Sequence, residues 1–177
     1  MEAGTTPSPV QEIQGTDEGL WQRLNAFELD DPDASLTFSA RLARENGWTL
    51  EFALRAIAEY KRFMYLLCVV DHPCTPSDEV DQVWHLHLIY TRSYWQEFCP
   101  EVLRRGIHHG PTLGGAQEQD KFTDWYARTK RSYKERFGLE PPDDLWPASD
   151  VRFTRINFRR VDVDDHWVVR KPFRDRR

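Results

Sequence analysis

Four of the six histidines fall between positions 85 and 109: His85, His87, His108 and His109. Histidine is the commonest metal ligand and the side chain that exchanges protons near neutral pH, so this grouping could hold a divalent cation or run acid–base chemistry. Asp81 stands four residues before His85. On a helix that spacing puts the two side chains one turn apart on one face. There they form either one edge of a metal site or a hydrogen-bonded pair in which the carboxylate orients the imidazole. On a strand, His85 and His87 would point the same way; on a helix they lie about 200° apart and do not easily share one ion. A third ligand must then come from elsewhere, and His108 or His109 is the candidate, carried on a loop bounded by proline and glycine. The candidate metal set is therefore Asp81, His85, His108 and His109. Zinc or iron is the expected ion, since three N and O ligands leave a position open.

Two other chemistries use the same residues. Asp81 could orient His85 as a proton carrier, with His109 or a tyrosine completing an acid–base pair. Cys74 or Cys99 could act as a nucleophile beside His85, but nothing flanking either signals a depressed pKa, and Cys68 lies in an apolar run that reads as packing. No phosphate loop, dinucleotide fingerprint, GxSxG or HExxH motif occurs. Catalytic residues are therefore left unassigned, and whether the chain is an enzyme stays open. The competing reading is a non-catalytic interaction or scaffold module whose histidines serve structure.

The element that must carry Asp81 and His85 is a helix. Thr75 reads as its N-cap, Pro76 as the first helical residue and Asp78 as the third residue of a capping box, with the helix running to about Phe98 and Pro100 just beyond. With Val80 at zero and about 100° per residue, Trp84, His87, Thr91, Tyr94, Trp95 and Phe98 share one stripe. That stripe reads as buried, and His87 within it as a core histidine bonded to a tyrosine hydroxyl or a carbonyl. Trp84, His87 and Tyr94 are the candidate pocket residues behind the metal set.

Other helices are expected near 18–29, near 34–46 with Asp33 as N-cap and Gly47 as terminator, and from Thr49 to about Val70. The last presents Leu50, Ala53, Leu54, Ile57, Tyr60, Met64 and Leu67. Residues 107–115 read as loop, 117–137 as a fifth helix closed by Gly138, and PPDDLWP as a rigid connector. Beyond it, Val151, Phe153 and Arg155 alternate with polar neighbours and suggest an extended arm or hairpin, with Val161, Val163, Trp167 and Val169 a second run. The 23 aromatic residues (seven Trp, six Tyr, ten Phe) fill a core more readily than they build a ligand cage.

At 177 residues, 40% hydrophobic and 30% charged, the chain suits one soluble globular domain. The expected fold class is mainly α: a single-domain bundle of five to six helices with a small extended or β C-terminal arm. Residues 1–16 read as a flexible leader, 17–147 as the helical domain and 148–177 as a basic arm packed on it. Residues 1–150 carry 15 Lys/Arg against 25 Asp/Glu, net −10, and residues 151–177 carry 9 against 4, net +5. An acidic body argues against a nucleic-acid surface, and the basic tail is expected to lie on that body. No apolar run reaches membrane-spanning length, no signal peptide is visible, and three cysteines suit a reducing compartment, so a cytoplasmic location is expected. A protein partner is compatible with all of this.

The segment DHPCTPSDEVDQVWHLHLIYTRSYWQEFCPEVLRRGIHHGPTLGG, from Asp71 to Gly115, resembles the bacterial branch of the glycine-rich domain-containing protein-like family. The residues that carry the resemblance are Val80, Asp81, Trp84, His85 and His87, then Thr91 and Tyr94, then His108, His109, Pro111 and Gly114. Tyr133, Phe137, Gly138 and Trp146-Pro147 also fit, so the likeness spans roughly residues 20–147. Only nine glycines occur, and no glycine-rich domain is present. What the resemblance implies is a fold more than a reaction.

Overall fold

A computed structural model of the chain describes residues 18–110 and 116–154, with 164–165 and 167–169. Among these residues all the regular structure is helical, with seven helices and no strand. In chain order they are α1 (Glu18–Ala26), α2 (Phe38–Asn46), α3 (Leu50–Val69), α4 (Asp78–Ile89), a π-helix (Ser93–Leu103), α5 (Ala116–Phe137) and α6 (Ser149–Thr154). No helix among the described residues is long and apolar enough to cross a membrane. The 1–16 leader and most of the basic arm lie outside the described residues.

The helix α3 runs through the centre and packs against α1, α2, α4 and α5. Thr49 caps it, its hydroxyl accepting from the Phe52 amide, and the end from Phe63 to Leu66 is wholly buried. Ala53, Tyr60 and Met64 are buried as expected, but the inward face is shifted at its start. Leu50 and Leu54 are exposed, while Phe52, Ala56 and Glu59 turn inward. The buried Glu59 carboxylate accounts for this rotation: it accepts from Tyr133 Oη at 3.2 Å, Trp146 Nε1 at 2.9 Å and Arg62 Nη1 at 2.6 Å. A buried carboxylate needs such partners, and satisfying them turns this side of α3 toward α5 and Trp146. The connector after Gly138 is thus part of the core, with Leu145 and Trp146 fully buried.

Two start signals act at positions other than those expected, and one stop signal acts where expected. The N-cap of α2 is Thr37, accepting from Ala40 N, while Asp33 closes a turn onto Asp31. Asp30 reinforces that cap by accepting from the Ser39 amide and hydroxyl. The N-cap of α4 is Ser77, accepting from Val80 N, since the helix starts at Asp78 rather than at Pro76; the Thr75 amide donates to Thr129 on α5. Gly47 ends α2 at φ 67°, the left-handed conformation a glycine terminator adopts.

The expected single helix to Phe98 is instead two. Tyr90 at ψ 63° interrupts it, and the chain resumes with wider π winding from Ser93 through Pro100 to Leu103. A proline removes one backbone donor and collides with the i−4 carbonyl of an α-helix; wider winding relieves that collision. Buried residues now recur as Tyr94, then Phe98 and Cys99, then Val102 and Leu103, a spacing of four to five. Thr91 and Trp95, placed in the buried stripe by α spacing, are exposed for this reason.

The first stretch of the C-terminal arm is also helical rather than extended. Residues 149–154 form α6, which packs on α5, with Arg152 Nη1 2.5 Å from Asp78 Oδ1 and Phe153 edge-on to Tyr126. Ala148 supplies the carbonyl that starts the turn, accepting from the Val151 and Arg152 amides.

Candidate metal centre

Asp81 lies in the first turn of α4, where the helix dipole favours a carboxylate. His85 follows one turn later, and its Nε2 lies 3.8 Å from Asp81 Oδ2. The loop after the π-helix returns over this face and brings His109 Nε2 to 2.7 Å from Asp81 Oδ1. The two imidazole centroids are 4.6 Å apart. One donor atom from each of Asp81, His85 and His109 lies within 4.8 Å of the others. Asp81 and His109 are about four-fifths buried, whereas the side chain of His85 is half exposed. The group is therefore open to solvent on the His85 side.

Trp84 and Tyr94 hold the returning loop. Trp84 Nε1 donates to Tyr94 Oη at 3.0 Å, and Tyr94 Oη donates to the Ile107 carbonyl at 2.6 Å. Burial pushes the Tyr94 phenol above its ordinary pKa, so it stays a donor. The Trp84 indole also meets the His109 ring at 4.4 Å in an edge-to-face arrangement. The Ile107 carbonyl and the His109 ring are thus both fixed from α4 and the π-helix.

Two of the candidate histidines lie outside this group. His108 is exposed, its ring 5.0 Å from that of Trp95, because successive residues of the loop turn to opposite sides. His87 is fully buried beneath α4, with Nδ1 2.9 Å from Tyr60 Oη and Nε2 3.2 Å from Ser93 Oγ. Phe27, Phe38, Tyr94 and Phe98 surround its ring. Burial lowers its pKa to about 3, so it is a neutral core histidine bonded to a tyrosine, as its place in the stripe suggested. Pro111 and Gly114 lie outside the described residues.

The cysteines do not assemble a nucleophile with His85. Cys99 is buried, and Cys74 sits 3.9 Å from His72 Nδ1 with its thiol pKa raised by burial. Residue patterns alone missed His72, whose only signal was its place at the break after α3. Its Nε2 lies 2.8 Å from Ser132 Oγ on α5.

The donor set fits a small divalent cation in kind: two imidazole nitrogens and one carboxylate, with room for exchangeable ligands on the open side. As it stands, His109 Nε2–H donates to Asp81, so an ion would replace that proton. Two ligands at about 2.0–2.2 Å from one ion stand roughly 3 Å apart or somewhat more, so His109 and Asp81 would part by only a few tenths of an ångström.

Two plant proteins share similarity with part of this chain. Glycine-rich domain-containing proteins 1 and 2 of Arabidopsis thaliana are 26% and 25% identical to it over 92 residues, 49% of this chain. The match covers 11% and 12% of those proteins' own lengths, so the chain spans a small part of the relatives it resembles. No family model matches the chain, and no solved structure does.

Proposed function

We propose that this protein binds one divalent metal ion, zinc or iron(II), through Asp81, His85 and His109, in a pocket whose back wall is Trp84 and Tyr94. The observation that carries the reading is the convergence of three ligand atoms within 4.8 Å from two segments far apart in the chain. Such an ion would supply Lewis acidity to a small molecule entering on the His85 side. The chain's own contribution is orientation: α4 fixes Asp81 and His85, and the Trp84–Tyr94–Ile107 relay holds His109. We also assign the chain to the bacterial branch of the glycine-rich domain-containing protein-like family, and read residues 17–147 as one helical domain with 148–177 as an arm upon it.

The test is metal content in protein purified without a histidine tag, followed by calorimetric titration of zinc into chelator-treated protein. One ion per chain is expected, lost in His109→Ala and retained in His108→Ala. A specific observation favours the rival, a scaffold whose histidines are structural: the 2.7 Å bond already satisfies Asp81 and His109 without an ion. No bound metal, together with a loss of stability in His109→Ala, would establish that rival.

A further inference from the structure

On the opposite use of histidine, a second pair stands apart from the metal centre. His72, just after α3, and Ser132, on α5, lie 2.8 Å apart, Nε2 to Oγ. The tautomer of this imidazole is set by its other nitrogen. Nδ1 lies 3.0 Å from the Pro73 carbonyl, which can only accept, so Nδ1 carries the proton and the Nε2 lone pair faces the serine hydroxyl. Ser132 Oγ–H is therefore the donor to Nε2. A hydroxyl bonded to a histidine whose far nitrogen is oriented by a third group is the arrangement that activates serine nucleophiles.

The pair lines an open groove of about 410 Å³, with Arg128 and Arg131 and the carboxylates of Asp71, Asp124 and Glu135 around it. Arg128 is held by Asp124 at 2.9 Å. Three residues on from the base, the Thr75 amide donates to Thr129 Oγ1, which donates to the Trp125 carbonyl one turn back, tying the segment after His72 to α5. The neighbouring Cys74 thiol is held protonated by burial and does not compete as a nucleophile.

We propose that Ser132 and His72 form a nucleophile–base pair that accepts acyl groups from small carboxylic esters. Ser132 Oγ bonds to the carbonyl carbon as its proton passes to His72 Nε2. The ester C–O bond then breaks, and that proton leaves with the alkoxide as the alcohol. Water, deprotonated by the same nitrogen, releases the acid and restores the serine.

The experiment incubates the full chain with p-nitrophenyl acetate and, separately, with a fluorophosphonate probe, and maps the modified residue by peptide mass spectrometry. Acetyl and phosphonyl groups are expected on Ser132, and labelling should fall roughly 100-fold in His72→Gln, the loss typical of removing a general base. The glutamine retains a hydrogen bond to Ser132, so its melting temperature controls for folding. Absence of label from Ser132, or labelling equally fast in a folded His72→Gln variant, would overturn the assignment and leave the pair as a tie between the 70–77 segment and α5.

Discussion

His109 Nε2 and Asp81 Oδ1 stand 2.7 Å apart although 28 positions separate them in the chain. That bond joins a loop to the first turn of α4, and it defines what each group does in the absence and in the presence of an ion. Asp81→Asn keeps a hydrogen-bond acceptor for His109 but removes the charge. Its zinc affinity should fall at least 10- to 100-fold, the scale on which even supporting partners of metal ligands act. Its melting temperature should change little. Unchanged affinity in a titration of this variant would remove Asp81 from the site.

Tyr94→Phe isolates the hold on the loop. The ring still packs against His87 and Phe98, but Trp84 Nε1 and the Ile107 carbonyl lose their partner. Stability should drop by about 1–3 kcal/mol, the cost of a buried unsatisfied group. Zinc affinity should fall about tenfold because His109 is no longer pre-positioned. A normal affinity with normal stability would show that the phenol does not hold the loop.

Trp84 fills the space between α3 and the loop, meeting Phe63 on one side and His109 on the other. Trp84→Ala should cost about 3–5 kcal/mol in a denaturant titration, the range for deleting a large buried aromatic. A change below about 1 kcal/mol would contradict its burial.

His87 makes acid stability predictable. Its pKa falls from 6.5 to about 3 on folding because burial disfavours the charged ring. Between those values the unfolded chain binds a proton that the folded chain does not, so stability rises with pH across that window and declines as pH drops through it. The slope from this group is about 1.4 kcal/mol per pH unit at most. Above pH 6.5 the contribution is constant. His87→Gln keeps hydrogen bonds to Tyr60 and Ser93 without titrating, so its stability profile between pH 3 and 6 should be flatter than that of the parent chain. Parallel profiles would mean that His87 charges in the folded state.

Much of this arrangement was legible in residue types and spacing, and the misses have identifiable causes. The four-residue interval between Asp81 and His85, on a helix with a clear start, fixes their common face, and the proline- and glycine-bounded loop pointed to a returning histidine. Which of His108 and His109 returns is a matter of one residue of register, set by the tertiary bond from Tyr94 to Ile107, and no local pattern encodes it. The phase of the stripe beyond Tyr90 was lost for a similar reason, since a broken turn and π winding both depart from the 100° period. Ser77 and Thr75 are equally able to cap by residue type, and the start of α4 at Asp78 puts Ser77 in that place. Glu59 carries no local signal of burial on α3. Its burial depends on Tyr133 and Trp146, 74 and 87 positions away.

The π-helix gives this protein one stretch of slack. Removing a residue from within Ser93–Leu103 tightens the winding toward that of an ordinary α-helix, and part of the lost length is absorbed before the chain reaches the 106–110 loop. Removing one between Asp81 and His85 instead swings everything beyond it by about 100°: the two side chains stay neighbours at i,i+3, but the rest of α4, with the buried Leu86 and His87, turns out of its packing register. Tolerance to shortening is therefore unequal along the chain: the helix after Tyr90 forgives a deletion, and α4 does not.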